Sequence, residues 1–123
     1  MIELKSAADR EKMRHAGRVV AEVLSLLKQA VQPGITTRDL DVIADREIRA
    51  RGGIPTFKGY YGYPASVCVS INDQVVHGIP GPRKIKEHDL VSLDLGATVD
   101  GFVGDTALSV FAGEAPDERA AEL

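Results

Sequence analysis

Two aspartates stand where the surrounding sequence is apolar and strand-like. Asp94 lies in Val91-Ser92-Leu93-Asp94-Leu95-Gly96-Ala97, and Asp105 lies in Phe102-Val103-Gly104-Asp105-Thr106-Ala107-Leu108. If the chain reverses at Asp100-Gly101, Asp94 falls opposite a residue near 105 to 107. Residues opposite each other in an antiparallel pair share a face, so the two carboxylates converge on a half-buried sheet. Like charges that close are unfavourable unless a cation or a proton lies between them. Carboxylate oxygens suit divalent ions of the Mg, Mn or Zn type. The alternative is two separate, solvent-facing aspartates on an exposed sheet face, and strand register decides between the two.

Other residue types with chemical potential are few. His77 follows the short apolar run Val75-Val76 and precedes Gly78-Ile79-Pro80, where a strand enters a loop. Functional side chains are common at such places, and a satisfied structural histidine is the other reading. His15 falls on a helical pattern and reads as solvated, while His88, in Lys86-Glu87-His88-Asp89, reads as a turn residue. Gly59-Tyr60-Tyr61-Gly62-Tyr63-Pro64 gathers all three tyrosines in one glycine-rich loop. Their amphipathic rings suit either a binding pocket or packing on the core. Cys68 lacks the partner spacing of a zinc site and reads as a small buried hydrophobe. The sequence has no phosphate-binding P-loop, no nucleophile elbow and no CxxC pair.

The elements that must position these residues divide into two halves. Ser6 with Asp9 three residues on resembles a capping box. Met13, Ala16, Val20, Val23, Leu24, Leu27 and Val31 then recur at helical spacing, and Pro33-Gly34 ends the run. Thr36 and Asp39 repeat the capping signal ahead of Leu40, Ile43, Ala44 and Ile48, and Gly52-Gly53 closes that second helix. Beyond it the period changes. Ser66 to Ile71 reads as a strand, Gly78 to Asp89 as a loop, and Leu90 to Thr98 and Phe102 to Phe111 as strands joined by an Asp-Gly hairpin turn. Two helices followed by antiparallel strands predict an α+β arrangement. The terminal stretch Ala115 to Leu123 reads as the opening of a helix, which is either a short final helix or a helix cut inside a larger fold.

Composition bounds the function classes. The chain has 123 residues, enough for one domain or a piece of one. Its formal charge of −3 argues against a nucleic-acid-binding module. No apolar run approaches the ~18 residues of a membrane span, and the charged stretch Met1 to Arg14 lacks the apolar core of a secretory signal. A single cysteine cannot form an internal disulfide. These features predict a cytoplasmic protein with no membrane or direct nucleic-acid partner.

In combination the motifs resemble type I methionine aminopeptidases. The stretch Phe57-Lys58-Gly59-Tyr60-Tyr61-Gly62-Tyr63-Pro64-Ala65-Ser66-Val67-Cys68-Val69-Ser70-Ile71-Asn72 carries the resemblance. It is followed in order by Val75-Val76-His77-Gly78-Ile79-Pro80, by Asp94, and by Asp105 in Gly104-Asp105-Thr106-Ala107-Leu108-Ser109. The opening Glu11-Lys12-Met13-Arg14-His15-Ala16-Gly17-Arg18 is similar as well, so the resemblance spans essentially the whole chain.

This resemblance implies removal of the initiator methionine from nascent proteins whose second residue is small. It implies the pita-bread (creatinase/aminopeptidase-like) α/β fold, two similar halves around a site that holds two divalent metal ions, Co, Mn, Fe or Zn. By matching position, Asp94 looks like the aspartate that chelates one metal and Asp105 like the aspartate that bridges both. His77 looks like the catalytic histidine that contacts substrate near the scissile amide. Phe57, Tyr60, Tyr63 and Cys68 resemble walls of the methionine pocket, and Tyr61 stands where other relatives carry histidine.

The family's remaining metal ligands, one histidine and two glutamates, come from its second half. The resemblance implies that the 123 residues correspond to the family's N-terminal half alone and supply two of the five usual ligand side chains. Weak metal binding by this chain is therefore expected, since ligand number and preorganisation set affinity. Expected partners are the N-terminal peptides of nascent proteins, together with either a C-terminal half or a second copy of the chain. A non-catalytic peptide- or protein-binding pita-bread fragment is the alternative, and a proline-specific peptidase of the same fold is a third reading.

Overall fold

In the computed structural model, which describes residues 6–58, 65–72 and 79–113, side-chain chemistry sets the start of each helix. The Ser6 hydroxyl accepts the Asp9 N–H at 3.0 Å, and the Asp9 carboxylate accepts the Ser6 N–H at 3.4 Å. This capping box opens α1, Ala7–Ala30. Thr36 and Asp39 make the same reciprocal pair at 3.1 and 3.0 Å and open α2, Thr37–Ala50. Each box satisfies two backbone donors that the first helical turn leaves without partners.

The apolar stripe of α1 runs through Ala16, Val19, Val20, Val23, Leu24 and Leu27, all buried. Met13, expected in that stripe, is 46% exposed. Tight packing begins one turn later, where the Ala16 carbonyl meets the strand at Gly104. On α2, Leu40, Ala44 and Ile48 are buried and Ile43 is partly so. His15 is half-buried rather than solvated.

The helices cover one face of a four-stranded sheet made of β1 (Ile54–Pro55), β2 (Val67–Ile71), β3 (Leu90–Val99) and β4 (Phe102–Phe111). All of its pairings are antiparallel. β4 pairs with β3 along its whole length, from Leu90↔Phe111 to Val99↔Phe102. The other edge of β3 therefore takes β2, from Val67↔Leu95 to Ile71↔Val91, and β1, through Ile54↔Thr98 and Pro55↔Ala97, one after the other. Asp100 and Gly101 both have positive φ, 51° and 81°, as a two-residue turn matched to strand twist requires. β1 goes beyond the sequence expectation. Two residues cannot display a two-residue period, and proline is confined to sheet edges of this kind.

Alternation along β3 separates core from surface. Val91, Leu93, Leu95, Ala97 and Val99 are buried and join Val67, Val69 and Ile71 under the helices. The expected loop after Gly78 is stitched to the start of α2. Ile85 exchanges backbone hydrogen bonds with Gly34 and Ile35, and Gly81 bonds the Thr37 hydroxyl in both directions. The expected Ala115–Leu123 helix and the Val75-Val76-His77 strand end lie outside the described residues. No helix among the described residues is long and apolar enough to cross a membrane.

Candidate metal centre

The face of the sheet turned away from the helices carries Asp94. It alternates with Leu93 and Leu95, so core burial of those neighbours directs it outward. Across the hairpin Asp94 pairs with Ala107, and Asp105 pairs with Gly96. The two aspartates are thus diagonal neighbours on one face. Asp94 is near enough to Asp105 to feel its charge. The register brings the two aspartates together as one arrangement expects, but both are exposed to solvent rather than half-buried.

Electrostatics follows from that proximity. Partial burial raises the Asp94 pKa above its ordinary value, and the charge of Asp105 and the hydrogen bond with it raise it further, against a smaller opposing contribution from the Leu95 N–H. Without a cation Asp94 is therefore easier to protonate than an ordinary aspartate. In charge and in donor chemistry the two oxygen-donor groups fit a divalent cation. As a ligand set they are incomplete, because among the described residues no group of three or more His, Cys, Asp or Glu side chains is placed to hold a metal ion.

Cys68 and Phe57 share this face. Cys68 on β2 is directly opposite Asp94 in the β2–β3 ladder. It is half-buried, not the fully buried hydrophobe that its composition alone implied. The Phe57 ring lies over Gly96, with Cε1 3.2 Å from where a side chain at that position would begin. A Cβ there would need the ring to shift by a few tenths of an ångström, on the same sheet face as Asp105. Phe57 is steadied by its neighbour Thr56, whose hydroxyl hydrogen-bonds that of Thr98 at 3.0 Å and whose N–H donates to the Gly96 carbonyl.

Four of the expected site residues, Phe57, Cys68, Asp94 and Asp105, are thus brought to one face. His77, Tyr60 and Tyr63 lie outside the described residues, as does Tyr61. The sequence reading missed the polar groups behind the site. Ser66, fully buried just before β2, donates its N–H to Asp41 at 2.6 Å and its hydroxyl to Asp45 at 3.0 Å. Asn72, just after β2, accepts the Leu90 N–H and donates to Asp89. These contacts fix both ends of the strand that bears Cys68. A polar pair at the two ends of an apolar strand was the available signal.

The model for metallopeptidase family M24 matches residues 11–123. A methionine aminopeptidase from Clostridium perfringens is 47% identical over 118 residues, which cover 96% of this chain and 47% of that protein. The chain spans about half the length of the curated relatives it matches. The crystal structure of a methionine aminopeptidase from Thermotoga maritima superposes with a TM-score of 0.90 at 41% identity, covering all of this chain and 49% of that one. A prolidase from Pyrococcus furiosus shares the fold at 16% identity, with a TM-score of 0.77 over 97% of this chain and 34% of its own. Two helices laid on one face of an antiparallel sheet are the pita-bread arrangement common to these neighbours.

Proposed function

Because the chain belongs to metallopeptidase family M24, we propose that it forms the N-terminal half of a dinuclear aminopeptidase site that removes the initiator methionine from nascent cytoplasmic proteins whose second residue is small. The observation that carries this reading is the convergence of Asp94 and Asp105 beside Cys68 and Phe57.

Asp94 and Asp105 would hold the divalent ions on this half of the site, in the roles their matching positions imply. Bound there, divalent ions supply Lewis acidity and a nucleophile at neutral pH. The raised Asp94 pKa lets protons compete with a cation as pH falls, so metal affinity rises with pH. Phe57 and Cys68, with Tyr60 and Tyr63, form a soft and aromatic wall suited to a thioether. His77 donates a hydrogen bond to the substrate as charge develops at the scissile amide. The last three residues enter through their motifs.

Two carboxylates by themselves hold a cation weakly, so the 123-residue chain is expected to bind Mn²⁺ only weakly. Equilibrium dialysis with Mn²⁺ is expected to show that binding, and to lose it in both Asp94→Asn and Asp105→Asn. Any cleavage by the chain is expected to favour Met-Ala over X-Pro peptides, to need Mn²⁺ or Co²⁺, and to vanish in Asp105→Ala. Preferential X-Pro cleavage, or Met-Ala cleavage that survives Asp105→Ala, overturns the reading. The small ligand set favours a second reading, peptide binding without cleavage. Metal-independent capture of a Met-Ala peptide by a sample that never cleaves it supports that one.

A further inference from the structure

Asp45 lies on α2, on the opposite side of the sheet from Asp94 and Asp105, and is not a residue of the proposed reaction. Its carboxylate nevertheless reaches both chain segments that bring the pocket walls to the site. Oδ1 accepts the Ser66 hydroxyl at 3.0 Å and the Lys58 ammonium at 3.5 Å. Ser66 is two residues before Cys68, and Lys58 directly follows Phe57. Asp41, one helical turn earlier, accepts the Ser66 N–H at 2.6 Å and reinforces the same end. Arg49, one turn later, donates from Nε to both Asp45 oxygens at 3.3 and 3.1 Å and fixes the carboxylate's orientation.

We propose that Asp45 is a positioning residue that sets the seat of Cys68 relative to Phe57 by holding Ser66 and Lys58 on a single carboxylate oxygen. The assignment rests on the reading of Phe57 and Cys68 as pocket walls. Its physical core is that two chain segments entering the site from opposite ends of one connection share one anchor on a rigid helix. Ser66 is wholly buried, so its hydroxyl cannot exchange Asp45 for bulk water without opening the strand end. The environment also keeps Asp45 ionised. Partial burial opposes the charge, but the Ser66 hydroxyl, Arg49 and Lys58 outweigh it and hold the carboxyl below its ordinary value. Asparagine at this position retains an acceptor for Ser66 and loses the ionic hold on Lys58, whereas alanine loses both.

The test uses the only cysteine in the sequence as the probe, so it does not depend on turnover or on methionine recognition. Iodoacetamide labelling of Cys68 is followed by mass spectrometry in the full chain, in Asp45→Ala, in Asp45→Asn, and in Glu47→Ala. Glu47 pairs with Arg51, the residue that follows the last turn of α2, and serves as the control for a lost ion pair on that helix. Urea titrations run alongside. Asp45→Ala is expected to change the labelling rate at least ~5-fold, Asp45→Asn less than that, and Glu47→Ala less than 2-fold. Asp45→Asn supplies the decisive comparison if the alanine variant fails to fold, and a rate within 1.5-fold of the parent then overturns the proposal. So does an unchanged rate in a folded Asp45→Ala, or a change in Glu47→Ala equal to that in Asp45→Ala at matched stability. If the ordered series is found but a Met-Ala peptide does not protect Cys68, the positioning role stands and the methionine-pocket reading fails.

Discussion

Ionising Asp94 puts a second negative charge beside Asp105 on the same sheet face, which works against the folded state. The Asp94 pKa is raised by partial burial and by its neighbour's charge. A group with a raised folded-state pKa contributes favourably in its protonated form, below its unfolded value. That contribution is lost as pH rises through the folded value. At neutral pH the metal-free chain therefore carries a penalty that a neutral isostere removes. Asp94→Asn is expected to be more stable than the parent at pH 7 by about 0.5 kcal/mol, because the pair is solvent-screened. The difference should disappear as pH falls below the ordinary carboxylate value of 3.8. Urea midpoints across that range check it. Added Mn²⁺ should reverse the order, raising the midpoint of the parent and leaving the variant unmoved. A variant less stable than the parent at pH 7 without metal would show that Asp94 is held by favourable contacts instead.

At the scale of elements, the position of Asp105 depends on how closely α1 approaches β4. A Cβ built on Gly104 lies 2.5 Å from the Ala16 carbonyl oxygen and 2.8 Å from its carbon. Both are backbone atoms that cannot swing aside. Gly104→Ala must therefore push α1 off the strand next to the aspartate, at a cost of about 1–3 kcal/mol. Gly17, one residue along α1 from the contact, has open space around its own Cβ position. Gly17→Ala is expected to stabilise by about 1 kcal/mol through helix propensity. Thermal melts of the two variants should move in opposite directions, and a neutral Gly104→Ala would deny the close approach. The contrast also shows what could be read beforehand. Capping at Ser6 and Thr36, and the turn at Asp100-Gly101, are local chemistry and were legible within four residues. The convergence of Asp94 and Asp105 needed only the hairpin register that this turn sets. Gly104 gave no such signal, because its reason lies in Ala16, far away in the chain. Asp45 was silent for the same cause, its partner Ser66 being 21 residues on. Met13 matched the helical period yet is exposed, since periodicity gives the face of a helix and not where its packing begins.

Over the whole molecule, ionised carboxylates stand at the joints between elements. Asp39 caps α2, Asp45 ties α2 to the start of β2, and Asp89 receives Asn72 from the end of β2 beside the start of β3. For Asp39, hydrogen bonds from Thr36 lower the pKa. For Asp45 and Asp89 partial burial works the other way, but hydrogen bonds from Ser66 in one case, and from the Lys86 N–H and Asn72 in the other, prevail and lower it. A lowered folded-state pKa contributes stability that is complete above the unfolded value and is lost as pH falls through the folded one. These three therefore stabilise the chain above 3.8, their common ordinary value, and release that stability below it. Asp94 titrates with the opposite sign, so the acid limb of the stability curve should be steeper in Asp94→Asn than in the parent. Asp89 is the joint to remove, being 8% exposed and bonded to both Asn72 and the Lys86 N–H. Asp89→Ala leaves those two donors without their acceptor and should cost about 2 kcal/mol at pH 7. Its acid limb should be shallower than the parent's, because one proton-linked group has gone. Urea denaturation from pH 7 down to pH 3 separates the outcomes. A loss that is the same at every pH would mean that Asp89 acts by packing alone, whereas a loss that shrinks towards pH 3 identifies its charge as what joins the two strands.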